Sequence, residues 1–201
     1  YMPLVESGLR NVVSPAHAVG FWQLLKSTAR EYGLEVDNQV DERYDVEKST
    51  RAASRYLKKS YKRFGSWTLV VASFNAGQKR IARFMKQQKA KSFYDLLVAD
   101  ETSRYIYRML AFKMIFENPE HYGFYINPSQ EYPVIPTHNI EVKGAVKDWA
   151  DFAHAHGISY KLLKYFNPWL RKTYLKNFHH KTYEIKIPNA PFNMTDAKLK
   201  E

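Results

Sequence analysis

The chain of 201 residues carries 31 Lys and Arg against 20 Asp and Glu, a formal net charge of +11 and a pI near 9.6. It has no cysteine, which excludes disulfides and thiolate metal sites and is compatible with an oxidising or a reducing compartment. A basic surface attracts a polyanion, yet no helix-turn-helix, zinc-finger or RNA-binding signature supports nucleic acid as the partner. No apolar run reaches the roughly 18 residues of a membrane span, and no signal peptide is present.

The first segment, Met2-Pro3-Leu4-Val5, is apolar and leads into Glu6-Ser7. Ser14-Pro15 marks a turn, and Phe21, Leu24, Leu25, Thr28 and Ala29 then recur at helical spacing. Ser49 or Thr50 is expected to cap a helix whose apolar face is Ala53, Tyr56, Leu57, Tyr61 and Phe64, ended by Gly65. Ser66 is expected to cap Trp67-Thr68-Leu69-Val70-Val71-Ala72, a run without a polar face and so a buried central helix. Gly77 breaks it, and a basic helix follows from Gln78 to about Lys91. Thr102 opens the last long helix, through Ile106, Met109, Leu110, Met114 and Phe116, until Pro119 stops it. Residues 120–136 are rich in Tyr, Phe and Pro. Tyr122, Phe124, Tyr125, Ile126 and Tyr132 are costly to leave in water, so this connector is expected to pack against the helices. Beyond it the pattern changes: Ile140-Glu141-Val142 alternates like a strand, Val146, Trp149, Phe152 and Ala153 recur at helical spacing up to Gly157, Tyr160 to Asn167 gives a second helix, and Tyr183 to Pro188 alternates again.

General acid–base catalysis needs a group that can hold a proton near the working pH. A single carboxyl serves as acid and then base when the substrate supplies its own nucleophile. Glu6 follows an apolar stretch, and an apolar surrounding holds a carboxyl protonated near neutral pH. Downstream stand Gly20-Phe21-Trp22-Gln23, Asp41-Glu42-Arg43-Tyr44-Asp45, Ser73-Phe74-Asn75-Ala76-Gly77 and Glu101-Thr102-Ser103-Arg104-Tyr105.

In this order, with Glu6-Ser7, these strings resemble the lysozyme-like lytic transglycosylases, nearest to their membrane-bound type D branch, from Tyr1 to about Gly123. The resemblance implies a lysozyme-like helical domain over 1–123 that cleaves between N-acetylmuramic acid and N-acetylglucosamine of peptidoglycan. Glu6 would act as general acid and then base, with the muramic 6-hydroxyl as nucleophile and a 1,6-anhydro sugar as product. It further implies that Trp22 and Phe74 neighbour Glu6, that Ser7 bonds near Glu6 or the substrate's N-acetyl group, that Gln23 contacts sugar beside the close backbone approach at Gly20, that Asn75 closes the cleft floor, and that Tyr105 faces the catalytic carboxyl. Phe74 departs from the commoner Tyr of this family. Glu101 is read as capping or pairing its helix, outside the chemistry. His17, His121 and His179-His180 lack metal-ligand spacing and are read as surface residues. No cofactor or metal and no nucleic acid is expected, and a monomer is expected. Because Tyr1-Met2-Pro3 opens inside the expected catalytic helix, the chain reads as a fragment of a longer envelope protein. An upstream export signal or lipid anchor would account for any membrane association and place it in the periplasm, at the outer membrane if anchored. Two alternatives stay open: a hydrolase in which water attacks with the same Glu6, and a non-catalytic wall-binding scaffold.

The strand–helix–helix–strand order over 137–190 is similar to the LysM module, which binds N-acetylglucosamine chains. Gly157-Ile158-Ser159, Leu162-Leu163, Phe166-Asn167-Pro168 and Ile185-Lys186-Ile187-Pro188 carry that likeness. Gly144-Ala145-Val146 and the Asn177 to Lys181 loop depart from it. The expected fold class is therefore mostly α: a lysozyme-like domain, a connector over 124–136, a small α+β module of βααβ order, and a polar tail over 191–201.

Overall fold

The computed structural model describes residues 1–189, so the polar tail expected over 191–201 lies outside it. The chain divides into two compact units, one of residues 1–35 and 42–125, the other of residues 36–41 and 126 onward.

The first unit is all helical, with α1 Met2–Ser7, α2 Lys26–Glu31, α3 Val46–Phe64, α4 Trp67–Ala76, α5 Gln78–Gln88 and α6 Asp100–Glu117. Its centre is α4, whose Leu69, Val70, Val71, Ala72 and Ser73 are all buried, as its lack of a polar face predicts. Helices α3, α5 and α6 pack on α4, and α1 packs on α6. Met2, Leu69, Val71, Ala72, Ile81, Phe93, Leu96, Tyr105 and Ile106 form the core. Each large apolar side chain so buried contributes about 1.5–3 kcal/mol.

Several helix starts differ from the sequence expectation. The helix expected from Phe21 begins only at Lys26, because Val19 bridges to both Val13 and Leu24 and holds the preceding residues in a tight loop. The cap of α3 is Asp45, whose side chain accepts from the Lys48 N–H, while Ser49 and Thr50 lie inside the helix. Helix α6 opens at Asp100 rather than Thr102. The connector side chains do not pack as expected: Tyr125, Ile126, Tyr132 and Val134 are 77%, 64%, 89% and 93% exposed. Pro119 and Pro128 divide this stretch into two short 3-10 turns, too short to present a continuous apolar face.

The second unit has β1 Thr137–Val142, α7 Trp149–Ala155, α8 Tyr160–Phe166 and β2 Tyr183–Pro188. The strands pair antiparallel, Thr137 opposite Pro188 and Val142 opposite Tyr183. Trp149, Leu163, Trp169, Ile185 and Ile187 fill its core. Asn167, fully buried, satisfies all of its amide: Nδ2 donates to the Leu163 and Lys186 carbonyls, and Oδ1 accepts from the Lys186 N–H at 2.9 Å. Val146 lies before α7, bridged to Leu175, and the helix starts after Asp148, which caps it. Asn177, in the left-handed conformation at φ 46°, closes the 177–181 loop by bonds to the Lys181 N–H and carbonyl, doing with an asparagine what the expected glycines would do. Residues 36–41, read from sequence as part of the helical domain, belong to this unit: Val40 bridges Leu170, and the Arg171 N–H donates to the Gln39 carbonyl at 2.7 Å.

Candidate active site

Helix α1 carries Glu6 and is fixed at both ends. Pro3 sits in its first turn, where a missing N–H leaves no bond unmade, and Gly8 ends it at φ 58°. Met2 and Val5 anchor the helix in the core, which leaves Glu6 half-buried at the core's edge. Burial pushes the Glu6 carboxyl up to about 7; the Tyr105 hydrogen bond opposes that rise, and the Glu101 charge adds to it. Tyr105 stands on the inner face of α6 and donates its hydroxyl to Glu6 Oε1 at 2.7 Å. Burial, then the charge and hydrogen bond of Glu6, push the Tyr105 phenol above its ordinary range, so it stays a donor. Glu101 is exposed in the first turn of α6, whose N-cap is Ala99; among the described residues it makes no ion pair, and its charge adds to the rise at Glu6.

Ser7 is buried, its Oγ 2.9 Å from the Phe21 carbonyl and 3.1 Å from that of Pro3. Its hydroxyl ties α1 to the loop that bears Gly20 to Gln23. That loop depends on Gly20, at φ 81°, because a Cβ there would stand 2.1 Å from the Arg43 carbonyl oxygen. Gln23 lies in this loop at φ 46°, not in a helix, and its Nε2 donates to the Gly20 carbonyl at 2.7 Å and the Val12 carbonyl at 3.1 Å. Trp22 donates its Nε1–H to Thr50 Oγ1 at 2.8 Å and meets Phe74 edge to face, with ring centres 6.1 Å apart. Phe74 in turn meets Tyr56 at 5.3 Å, so both rings belong to an aromatic wall between α3 and α4. Asn75, the penultimate residue of α4, accepts on Oδ1 from the Thr102 hydroxyl at 2.9 Å.

Sequence reasoning missed two supports. Arg43, quoted as part of a string without a role, is buried and donates from Nη1 to the His17 and Leu24 carbonyls, both at 3.1 Å, which pins the loop at either end. The signal was a basic residue between Asp41, Glu42 and Asp45, since burial of an arginine demands partners. Thr102, read only as a helix start, is 4% exposed and fixes Asn75. His17, His121, His179 and His180 are exposed, and among the described residues no cluster of His, Asp or Glu is placed to hold a metal ion.

Residues 1–97 match the family described as "Transglycosylase SLT domain", and residues 138–191 match "Soluble lytic transglycosylase C-terminal LysM-like domain". The chain is 35% identical over 172 residues to the membrane-bound lytic murein transglycosylase D of Escherichia coli (strain K12), and equally to that of Escherichia coli O6:H1 (strain CFT073). These matches span 83% of this chain and 37% of each relative, so the chain covers little more than a third of their length. A protein named for tributyltin chloride resistance, from Alteromonas sp. (strain M-1), is 37% identical over 93 residues, 45% of either chain.

Proposed function

From a chain that carries a transglycosylase SLT domain followed by a C-terminal LysM-like domain, we propose that the helical unit is a peptidoglycan lytic transglycosylase with Glu6 as its acid and base. The observation that carries this reading is a half-buried carboxyl, raised to about 7 and oriented by the Tyr105 hydroxyl at 2.7 Å. A carboxyl so poised is protonated in a useful fraction at neutral pH and becomes an adequate base once it has given its proton away.

The steps balance with no second protein carboxylate. Protonated Glu6 gives its proton to the oxygen that joins muramic C1 to the neighbouring sugar, and the C1–oxygen bond breaks. The Tyr105 O–H then stabilises the Glu6 carboxylate. The muramic 6-hydroxyl attacks C1, and its proton passes to Glu6, which regenerates the acid and closes the 1,6-anhydro ring. Gly20 allows the loop backbone near the cleft, Trp22 and Phe74 line it, Ser7 and Arg43 hold it, and Gln23 and Asn75 offer polar contacts to sugar. The substrate places the chain's work in the cell envelope, and the LysM-like unit would add a second hold on the same glycan.

Digestion of purified sacculi in heavy-oxygen water tests the chemistry. Release of anhydro-muropeptides without label at the cleaved end is the expected result. Label at a reducing end would replace the reading with hydrolysis, and no release at all would replace it with a wall-binding scaffold.

A further inference from the structure

Two amides of the site are locked in opposite senses. Gln23 spends its Nε2 hydrogens on the Val12 and Gly20 carbonyls. Its Oε1 has no protein partner among the described residues, and no buried side-chain oxygen or nitrogen there lacks one, so Oε1 lies open as an acceptor. Asn75 is the reverse: its Oδ1 is taken by the Thr102 hydroxyl at 2.9 Å, while Nδ2, without a protein partner and not buried, lies open as a donor. A threonine inside a helix commonly turns its hydroxyl back to its own chain's carbonyls. Thr102 instead gives its one proton across to another helix, from a position only 4% exposed.

Thr102 and Tyr105 are three residues apart on α6 and therefore share a face. Each donates a hydroxyl to one functional side chain, Thr102 to Asn75 and Tyr105 to Glu6. An amide side chain is nearly symmetrical in shape, so what it recognises depends on which end its neighbours hold. With Oδ1 held, Asn75 selects a ligand group that accepts, and a free Asn75 would be able to present either end.

Resting on the proposed activity, we propose that Thr102 is a positioning residue that commits Asn75 to donate, so that this position reads a carbonyl acceptor of the sugar, of which the acetamido oxygen is the one each residue of the glycan carries. Specificity for N-acetylated over de-N-acetylated strands then depends on a buried hydroxyl that touches no sugar.

The test compares the parent chain, Thr102→Val, which keeps shape without the donor, and Thr102→Ser, which keeps the donor. Each is assayed on short glycans with acetamido groups and on the same glycans de-N-acetylated. Thr102→Val should raise KM on the acetylated glycan roughly five- to tenfold, the worth of one hydrogen bond, with a smaller effect on the amine form. Thr102→Ser should restore both, and the pH profile set by Glu6 should not move. Parent-like discrimination in Thr102→Val, or equal losses on both glycans, overturns the role of Thr102 while leaving the transglycosylase reading intact. A parent chain that releases nothing from either glycan overturns that reading and this inference with it. Where Thr102→Val fails to fold, Thr102→Ser with altered discrimination decides against the proposal, and Thr102→Ser with parent discrimination alongside a weaker, folded Thr102→Ala supports it.

Discussion

If Glu6 is the proposed acid and base, one residue links reactivity and stability. Its carboxyl is raised from about 4.5 to about 7 chiefly by burial, so between those values the native state holds a proton that the unfolded chain has released. Stability from this group is therefore greatest at low pH and is lost as pH rises through about 7. Glu6→Gln removes that slope: the variant should melt above the parent at pH 8 and close to it at pH 5, measured by circular dichroism. The same change should lower sacculus clearing by at least about 10²–10⁴-fold, because one group supplies both halves of the proton transfer. Tyr105→Phe acts in the other direction. The hydroxyl that lowers the Glu6 pKa is gone, so the alkaline limb of kcat/KM should move to higher pH, and a limb that stays in place would show that the 2.7 Å bond is not made in solution.

At the level of elements, helices legible from apolar spacing formed where their pattern is strong, as in α3, α4 and α6. Misreadings came where a local backbone or side-chain bond outranked periodicity. Phe21, Leu24 and Leu25 keep helical spacing, yet Gly20 at φ 81° and the Val19 bridges hold Phe21 and Leu24 in a loop. Ser49 looks like a cap, but Asp45 captures the free N–H of Lys48 one turn earlier. Of the candidate site, the approach of Tyr105 to Glu6 was legible from the order of the strings that carry them, whereas Arg43 and Thr102 act through contacts that no local pattern announces. The Gly20 loop gives a direct check. Gly20→Ala places a Cβ on the Arg43 carbonyl and demands a positive φ from an L side chain, so it should cost about 3 kcal/mol or more and lower the melting temperature of the helical unit by roughly 10 °C or more. Arg43→Met, which keeps bulk but strands the His17 and Leu24 carbonyls, should lower activity through the loop while leaving α3 to α6 helical.

Across the whole molecule, charge is unevenly placed. Of the 31 Lys and Arg, 13 lie between residues 48 and 94, where there is no Asp or Glu, and the remaining 18 face all 20 acids. Apart from Lys48, every one of those 13 is exposed. Excess positive charge thus belongs to α3, α5 and the residues after α5, so binding to acidic wall material should weaken steeply with salt. Reversing Lys58, Lys62, Lys79 and Arg83 to Glu should reduce sacculus pull-down several-fold at low salt and leave turnover of short neutral glycans unchanged.

Removal of the LysM-like unit tests the division of labour, and the placement of residues 36–41 changes how the cut must be made. Val36 and Val40 are 3% and 1% exposed within the second unit, where Val40 bridges Leu170 and the Asp41 N–H donates to the Trp169 carbonyl. A chain simply ended after the connector would bare those two valines and leave that strand of backbone without partners, and it should aggregate or melt early. The ends of the excursion are nevertheless already joined inside the helical unit. The Glu42 N–H donates to the Glu35 carbonyl at 2.9 Å, and the Glu35 N–H donates to Glu42 Oε2 at 2.7 Å. Replacing residues 36–41 by Asn-Gly, a favoured two-residue hairpin turn, and ending the chain after Tyr125 should therefore give a folded helical unit. That unit should form anhydro products from short glycans at a rate similar to the parent, because Glu6, Gln23, Asn75, Thr102 and Tyr105 all lie within it. It should bind whole sacculi less tightly and clear them more slowly, since the second hold is gone while the chemistry is intact. Equal pull-down would show that the LysM-like unit has no glycan site, and a folded unit inactive on short glycans would show that the cleft needs residues beyond Tyr125.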